Sequence, residues 1–268
     1  MNTLQALVLG LVQGLTEFIP ISSTAHLRIV PHFLGWDDPG AAFSAVIQLG
    51  SLLALFTYFA ADIWKLLLAA LASLRHRNLD HSPDSRLAWS IAVGTLPISV
   101  LGLAFKDFIE GGARQLTLIA LALIALALFL LLAERLGRRT RLMQELGFWQ
   151  IQFIGLCQAL ALIPGCSRSG STIMGGLFLG LRREEAARFS FLLGLPAIGA
   201  GGVLEFLELL KGGLGGERLF NLEVGVVAAA VSSYLSIGFL LRFLQSHGTH
   251  WFAWYRILLG ALILFTLS

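Results

Sequence analysis

Pro164-Gly165-Cys166-Ser167-Arg168-Ser169-Gly170-Ser171-Thr172 interrupts an otherwise apolar run over 146–181 with a permanent cation, hydroxyls and two glycines. Nothing in core packing asks for that. Pro164 and Gly165 end the preceding helix, because proline restricts the residue before it and glycine takes backbone angles other residues resist. A new helix then starts at the serines, so hydroxyls and unpaired N–H groups point one way. Such a start carries about half a positive charge, and Arg168 adds a two-pronged donor, a combination suited to phosphate. An arginine at mid-membrane depth costs on the order of 3 kcal/mol, which argues against a merely incidental one.

The rest of the chain supplies that membrane. Its 268 residues are 56% hydrophobic and only 13% charged, with a mean hydropathy of +0.79. These values exclude an ordinary soluble domain and predict an all-α polytopic membrane protein. Runs near the 20 residues a bilayer needs fall at 41–61, 87–105, 116–133, 189–210, 224–241 and 251–268, the last two edged by Arg242 and Arg256. Six transmembrane helices are therefore expected. The N-terminus has no basic n-region and does not read as a removable signal. A pI of 9.2 could suggest nucleic acid, but the basic residues sit at span ends and face membrane lipids instead. Threading six spans puts twelve of them on one side, those of 135–141 and 182–188 included, against Lys106, Arg114, Lys211 and Arg218 on the other. The positive-inside rule makes the first side cytoplasmic and leaves both termini outside. Cys157 and Cys166 read as small packing residues, and Trp251, Trp254 and Tyr255 as an interfacial belt.

Residues 1–36 do not read as a span. An apolar run meets Glu17, Pro20 and Ser22-Ser23-Thr24, then resumes as a short helix with His26 and Arg28. That is the pattern of a re-entrant hairpin, and 146–181 repeats it. Gly10-Leu11-Val12-Gln13-Gly14-Leu15 aligns with Gly155-Leu156-Cys157-Gln158-Ala159-Leu160, each closely followed by Ile-Pro; Phe43-Ser44 with Gly50 aligns with Phe189-Ser190 with Gly194. The chain thus reads as a single membrane domain, 1–268, built from two repeats of a hairpin plus three spans. Repeat 1 covers about 1–144 (hairpin 1–36; spans 41–61, 87–105, 116–133). Repeat 2 covers about 145–268 (hairpin 146–181; spans 189–210, 224–241, 251–268). Three spans being odd, the copies have inverted topology, and the two broken tips meet near the midplane.

The chemistry-bearing residues lie at those tips. Gln13 and Glu17, four apart, share a helix face, and a carboxylate that deep requires a partner: Arg168, a divalent cation or His26. Ser23 becomes a useful nucleophile only beside a base, and His26 follows it by three positions. Such a set suits phosphoryl transfer, which is mostly positioning and charge neutralisation. Glu17 suits a hard cation such as Mg2+ or Ca2+, with Gln13 as its neighbour. The phosphate-binding set would be Ser22, Thr24, Ser167, Arg168, Ser169, Gly170 and Thr172. The catalytic set would be Glu17, Ser23, His26 and Arg168.

The stretch 13–26 (QGLTEFIPISSTAH) together with 164–170 (PGCSRSG) resembles the paired motifs of the undecaprenyl-pyrophosphate phosphatase, or bacitracin-resistance, family, and the likeness spans essentially the whole chain. The resemblance implies an inner-membrane enzyme that hydrolyses undecaprenyl diphosphate to the monophosphate carrier of cell-wall synthesis. It also implies a divalent-cation requirement and an active site opening to the periplasm; a homodimer is compatible with it. Glu17 matches the second acid of the family's (E/Q)xxxE motif and Gln13 the first position, often Glu, so one charge is missing here. Ser23, His26, Ser167, Arg168 and Thr172 match other functional positions, and Ala25 stands where glycine is usual. Attack by Ser23 with His26 as base is the expected route, with His26 itself or a water as alternative nucleophile. An inverted-repeat transporter or lipid-phosphate flippase is the rival reading, on architecture alone.

Overall fold

A computed structural model of the chain describes residues 1–211 and 216–267. Ser268, at the end of the expected last span, and the side chain of Arg218 lie outside the described residues. The described residues are helical, with one isolated bridge between Arg141 and Leu181.

The first hairpin is α1 (Thr3–Glu17) and α2 (Ser23–Leu34). Asn2 and Gln5 cap α1 reciprocally, and α2 stops at Gly35 in the left-handed region, φ 65°. At about 1.5 Å per residue, these helices of 15 and 12 residues each fall short of a hydrocarbon core of about 30 Å. The second hairpin is α9 (Phe148–Ala159), a 3-10 turn (Leu160–Leu162) and α10 (Arg168–Phe178), likewise too short to cross. Between them run α3 (Gly40–Tyr58), α4 (Ala60–Arg75), α5 (Pro83–Gly94), α6 (Leu96–Ala104), the short α7 (Lys106–Glu110) and α8 (Leu116–Leu136). After them come α11 (Arg183–Lys211), α12 (Gly216–Ser246) and α13 (His250–Leu267).

Among the described residues, five helices are long and apolar enough to cross a membrane, six if the bent pair α3–α4 is one span. Two details differ from the sequence reading. The 41–61 run does not continue straight: α3 and α4 meet at 81°. Phe59, at the joint, is pinned in the core against Phe191, which also packs edge-on to Phe18. The 87–105 run lies within one candidate span, Pro83–Ala104, but its helix is interrupted at Thr95, where α5 passes to α6, because Pro97 has no N–H to carry the ladder on.

The halves interlock by exchange. α1 lies along α12, whereas its counterpart α9 lies along α5. Gly10 and Gly155, aligned in the sequence repeat, are both close-approach sites: a Cβ on the first would strike the Gly225 carbonyl oxygen and on the second that of Gly94. Counterpart spans run antiparallel, as inverted copies must. Gly202 of α11 meets Leu49 and Ala45 of α3 while Gly199 meets Leu52; Arg256 of α13 meets Leu123 of α8 while Gly260 meets Ala120. This interlock brings the two broken tips together in the middle of the molecule.

Candidate active site

The two tips are built alike. Ser22 caps α2 with φ 77° and ψ 96°, and Ser167 caps α10 with φ 65° and ψ 119°. Positive φ is costly for a side chain with a Cβ and tends to mark functional sites. Each hydroxyl accepts the N–H three residues on, from Ala25 and Gly170 respectively. Each also pairs with the hydroxyl two residues on, Thr24 at 3.1 Å and Ser169 at 3.2 Å. Ser169 reaches across to the Glu17 and Ile19 carbonyls, tying tip to tip.

Glu17 is the meeting point. Its Oε1 accepts Arg168 Nη2 at 3.0 Å, across 151 positions of sequence. Its Oε2 accepts the Ser23 hydroxyl at 2.6 Å and Gln13 Nε2 at 2.9 Å. Behind Gln13, a polar seam continues through Ser51 to Ser233. Arg168 lies against α11, where the absence of a side chain at Gly194 makes room for it, and donates to the Ser190 carbonyl at 3.3 Å. Thr172 bonds the Ser190 hydroxyl at 2.6 Å, so Thr172 supports Arg168's helix from behind. Glu17 is buried and Arg168 nearly so, with side chains 5% and 10% exposed. A lone charge at either position would be severely penalised.

Glu17, Ser23, Thr24, Ser167 and Arg168, with Gln48, line one cavity of about 140 Å³ together with Ile98, Ala161, Ala197 and Ile198. At about 30 Å³ per water it holds a small polar headgroup, while a long apolar tail has to lie outside, among the helices. The cavity lining thus mixes polar and apolar side chains.

His26 stands differently from expectation. Its Nδ1 is 2.7 Å from the Ser22 carbonyl and its Nε2 is 2.7 Å from the Tyr255 hydroxyl. A carbonyl can only accept, so Nδ1 carries the proton. In the neutral ring Nε2 then accepts from Tyr255. The titratable group that Ser23 touches is thus the Glu17 carboxylate, while His26 bonds the tip's backbone at Ser22. The i, i+3 spacing put the imidazole on the right face but could not show that Glu17 would arrive first.

Three contributors were not legible in the sequence reading. Gln48 lies within the apolar 41–61 run, with no motif around it to mark it. Tyr255 reads as part of the interfacial belt; the residue is 43% exposed, yet its hydroxyl turns inward to His26. Arg256, taken as the edge of a span, is completely buried. An arginine inside an eighteen-residue apolar helix was the available signal. Cys157 and Cys166 are buried free thiols, as packing residues should be.

A family model described as "Bacitracin resistance protein BacA" matches residues 6–262. The chain is 52% identical to an undecaprenyl-diphosphatase of Chloroherpeton thalassium, over 100% of this chain and 98% of that protein. It is 50% identical to one of Chlorobium phaeobacteroides, over 98% and 96%. With one of Chlorobaculum tepidum it shares 49%, over 97% and 95%.

Proposed function

Because the chain belongs to the bacitracin resistance protein BacA family, we propose that it is an integral-membrane phosphatase that hydrolyses undecaprenyl diphosphate to undecaprenyl phosphate and inorganic phosphate. The observation that carries this reading is the bonded series Ser23–Glu17–Arg168 in one amphiphilic cavity: a hydroxyl, a base in contact with it and a fork for phosphate oxygens. The lipid carrier it regenerates serves cell-wall synthesis, and resistance to bacitracin follows from restoring that pool. The protein acts in the bacterial inner membrane, with the cavity open to the periplasm and both termini outside; the distribution of Lys and Arg supports this orientation.

In the mechanism we infer, the terminal phosphoryl group rests on the starts of α2 and α10, and Arg168 turns from Glu17 to its oxygens. Glu17, relieved of its cation, becomes the stronger base. Ser23 Oγ attacks the terminal phosphorus as its proton passes to Glu17. The Oγ–P bond forms and the bridging P–O bond breaks, and Glu17 passes the proton it took from Ser23 to the departing prenyl monophosphate, which restores its carboxylate. Water, deprotonated in turn by Glu17, then frees phosphate and restores Ser23. His26, held by Tyr255, keeps the Ser22 carbonyl and hence the helix start in place.

A divalent cation, Mg2+ or Ca2+, fits the residues present. Gln13 Oε1 is buried with no partner, and with Glu17 it offers hard oxygen donors beside substrate oxygens. When bound, such an ion would supply further neutralisation of phosphate charge. The decisive assay is phosphate release from undecaprenyl diphosphate by the purified protein in detergent. Robust release by wild type and its loss in Glu17→Ala, Ser23→Ala and Arg168→Ala support the reading; no release by wild type, with or without Mg2+ or Ca2+, refutes it.

A further inference from the structure

Arg256 of α13 is 0% exposed, yet no ion pair to it occurs among the described residues. All its bonds go to backbone carbonyls. Nε donates to Leu123 at 3.2 Å, Nη1 to Pro20 at 3.2 Å, and Nη2 to Gly165 at 2.8 Å and Cys166 at 3.3 Å. Pro20 sits in the break of the first hairpin, two residues before the Ser22 cap. Gly165 and Cys166 sit in the break of the second, immediately before the Ser167 cap. Carbonyls at a broken helix have lost their ladder partners, and in an apolar interior something must satisfy them. One guanidinium does so for both tips at once. Gly170 leaves space beside it, since a Cβ there would come within 3.2 Å of Nη1.

This arrangement has two consequences for the site. Geometrically, a rigid planar fork fixes the distance between the tips that carry Ser23 and Arg168. A lysine, a point charge with a flexible stem, could not span the same carbonyls. Electrostatically, Arg256 is a buried cation without a carboxylate, close to two helix starts that are themselves positive. Glu17 balances only Arg168. The central polar cluster formed by Glu17, His26, Arg168 and Arg256 therefore has a surplus of positive charge until an anion enters.

We propose that Arg256 is a positioning residue for this site: it locks the two tips in register and leaves a positive surplus that the diphosphate headgroup neutralises. The proposal rests on the phosphatase reading for its kinetic readout but not for its binding readout. Register acts on turnover and surplus charge acts on anion affinity, so the two parts separate by substitution.

The test compares wild type, Arg256→Gln and Arg256→Lys, purified in detergent. It uses kcat and KM for phosphate release, and the concentration of inorganic pyrophosphate that half-saturates its thermal stabilisation of the protein. Arg256→Gln is expected to lower kcat about tenfold or more and to raise both KM and the pyrophosphate midpoint about tenfold. Arg256→Lys is expected to keep the pyrophosphate midpoint within about threefold of wild type while kcat stays as low as in Arg256→Gln. A merely structural residue would lower melting temperature and the yield of active protein, leaving KM and the midpoint of the folded fraction unchanged; that result overturns the proposal. So does wild-type kcat in Arg256→Lys, the variant kept for the case in which Arg256→Gln does not fold. If wild type binds pyrophosphate but releases no phosphate from the lipid, the phosphatase reading fails while the midpoints still decide the role of Arg256.

Discussion

Both Glu17 oxygens accept hydrogen bonds: one from Arg168, the other from Ser23 and Gln13. Its charge, and not its shape alone, is what the site uses. Glu17→Gln keeps the size but cannot accept the Ser23 proton, and leaves Arg168 buried without a counter-charge. The expected fall in kcat is about 10²–10⁴-fold, the range for losing a general base, measured by phosphate release beside a melting curve that establishes folding. Ser23→Ala should abolish formation of a phosphoenzyme, detected by mass spectrometry of acid-quenched protein. Phosphate trapped on His26 instead would reverse the assignment of nucleophile. Tyr255→Phe removes one neutral hydrogen bond, worth about 1 kcal/mol, and should reduce turnover several-fold; an effect as large as that of Glu17→Gln would mean that the imidazole takes part in the chemistry.

At the scale of elements, the two hairpins stand or fall by close approach and by two strained caps. Gly155→Val puts a branched side chain where the Gly94 carbonyl already lies, so α9 must lift from α5. A destabilisation of about 1–3 kcal/mol or more is expected, read as a lower melting temperature, with Gly10→Val behaving alike against α12. Ser167→Val adds β-branching at φ 65° and removes the cap, whereas Ser167→Gly relieves the strain and loses only the hydroxyl. The glycine variant should melt higher than the valine variant by an amount reflecting about 1–3 kcal/mol. The hairpins were legible in the sequence because Pro20 and Pro164 with their trailing hydroxyls break apolar runs at matched positions. The 81° bend at Phe59 was not, since nothing in the apolar run before it marks a joint; it is set by where Phe59 packs. The pairing of Ser23 with Glu17 was equally hidden, because it depends on how the chain turns between Phe18 and Ser22. The tie between Glu17 and Arg168 could be anticipated, as two opposite charges in apolar runs have few other places to go.

For the molecule as a whole, charged latches among the described residues lie near the ends of the helices as well as at the central Glu17–Arg168 pair. On one side Asp38, between α2 and α3, accepts Arg114 at 2.7 Å and lies 3.5 Å from Arg28. Burial alone would raise the Asp38 pKa, but the bonds from Arg114 and the Gly40 N–H, with the two guanidinium charges, hold it below the ordinary carboxylate value. A depressed acid stabilises the fold above its unfolded pKa, and the contribution is lost as pH falls toward the folded value. Melting temperature should therefore drop more steeply in acid for wild type than for Asp38→Asn. On the other side Glu134 accepts Arg139, Arg183 and Thr249, clamping α8, α11 and α13. The orientation proposed from the basic residues predicts that an impermeant thiol reagent applied to intact cells labels a cysteine added before Met1 but not one at Arg138. The central claim is that two tips far apart in sequence make one phosphatase site, and the most direct measurement is phosphate release from undecaprenyl diphosphate by purified Arg168→Gln. A loss of about 10²-fold or more in kcat/KM, in protein that melts as a folded species, is the predicted result. Activity within tenfold of wild type would contradict it.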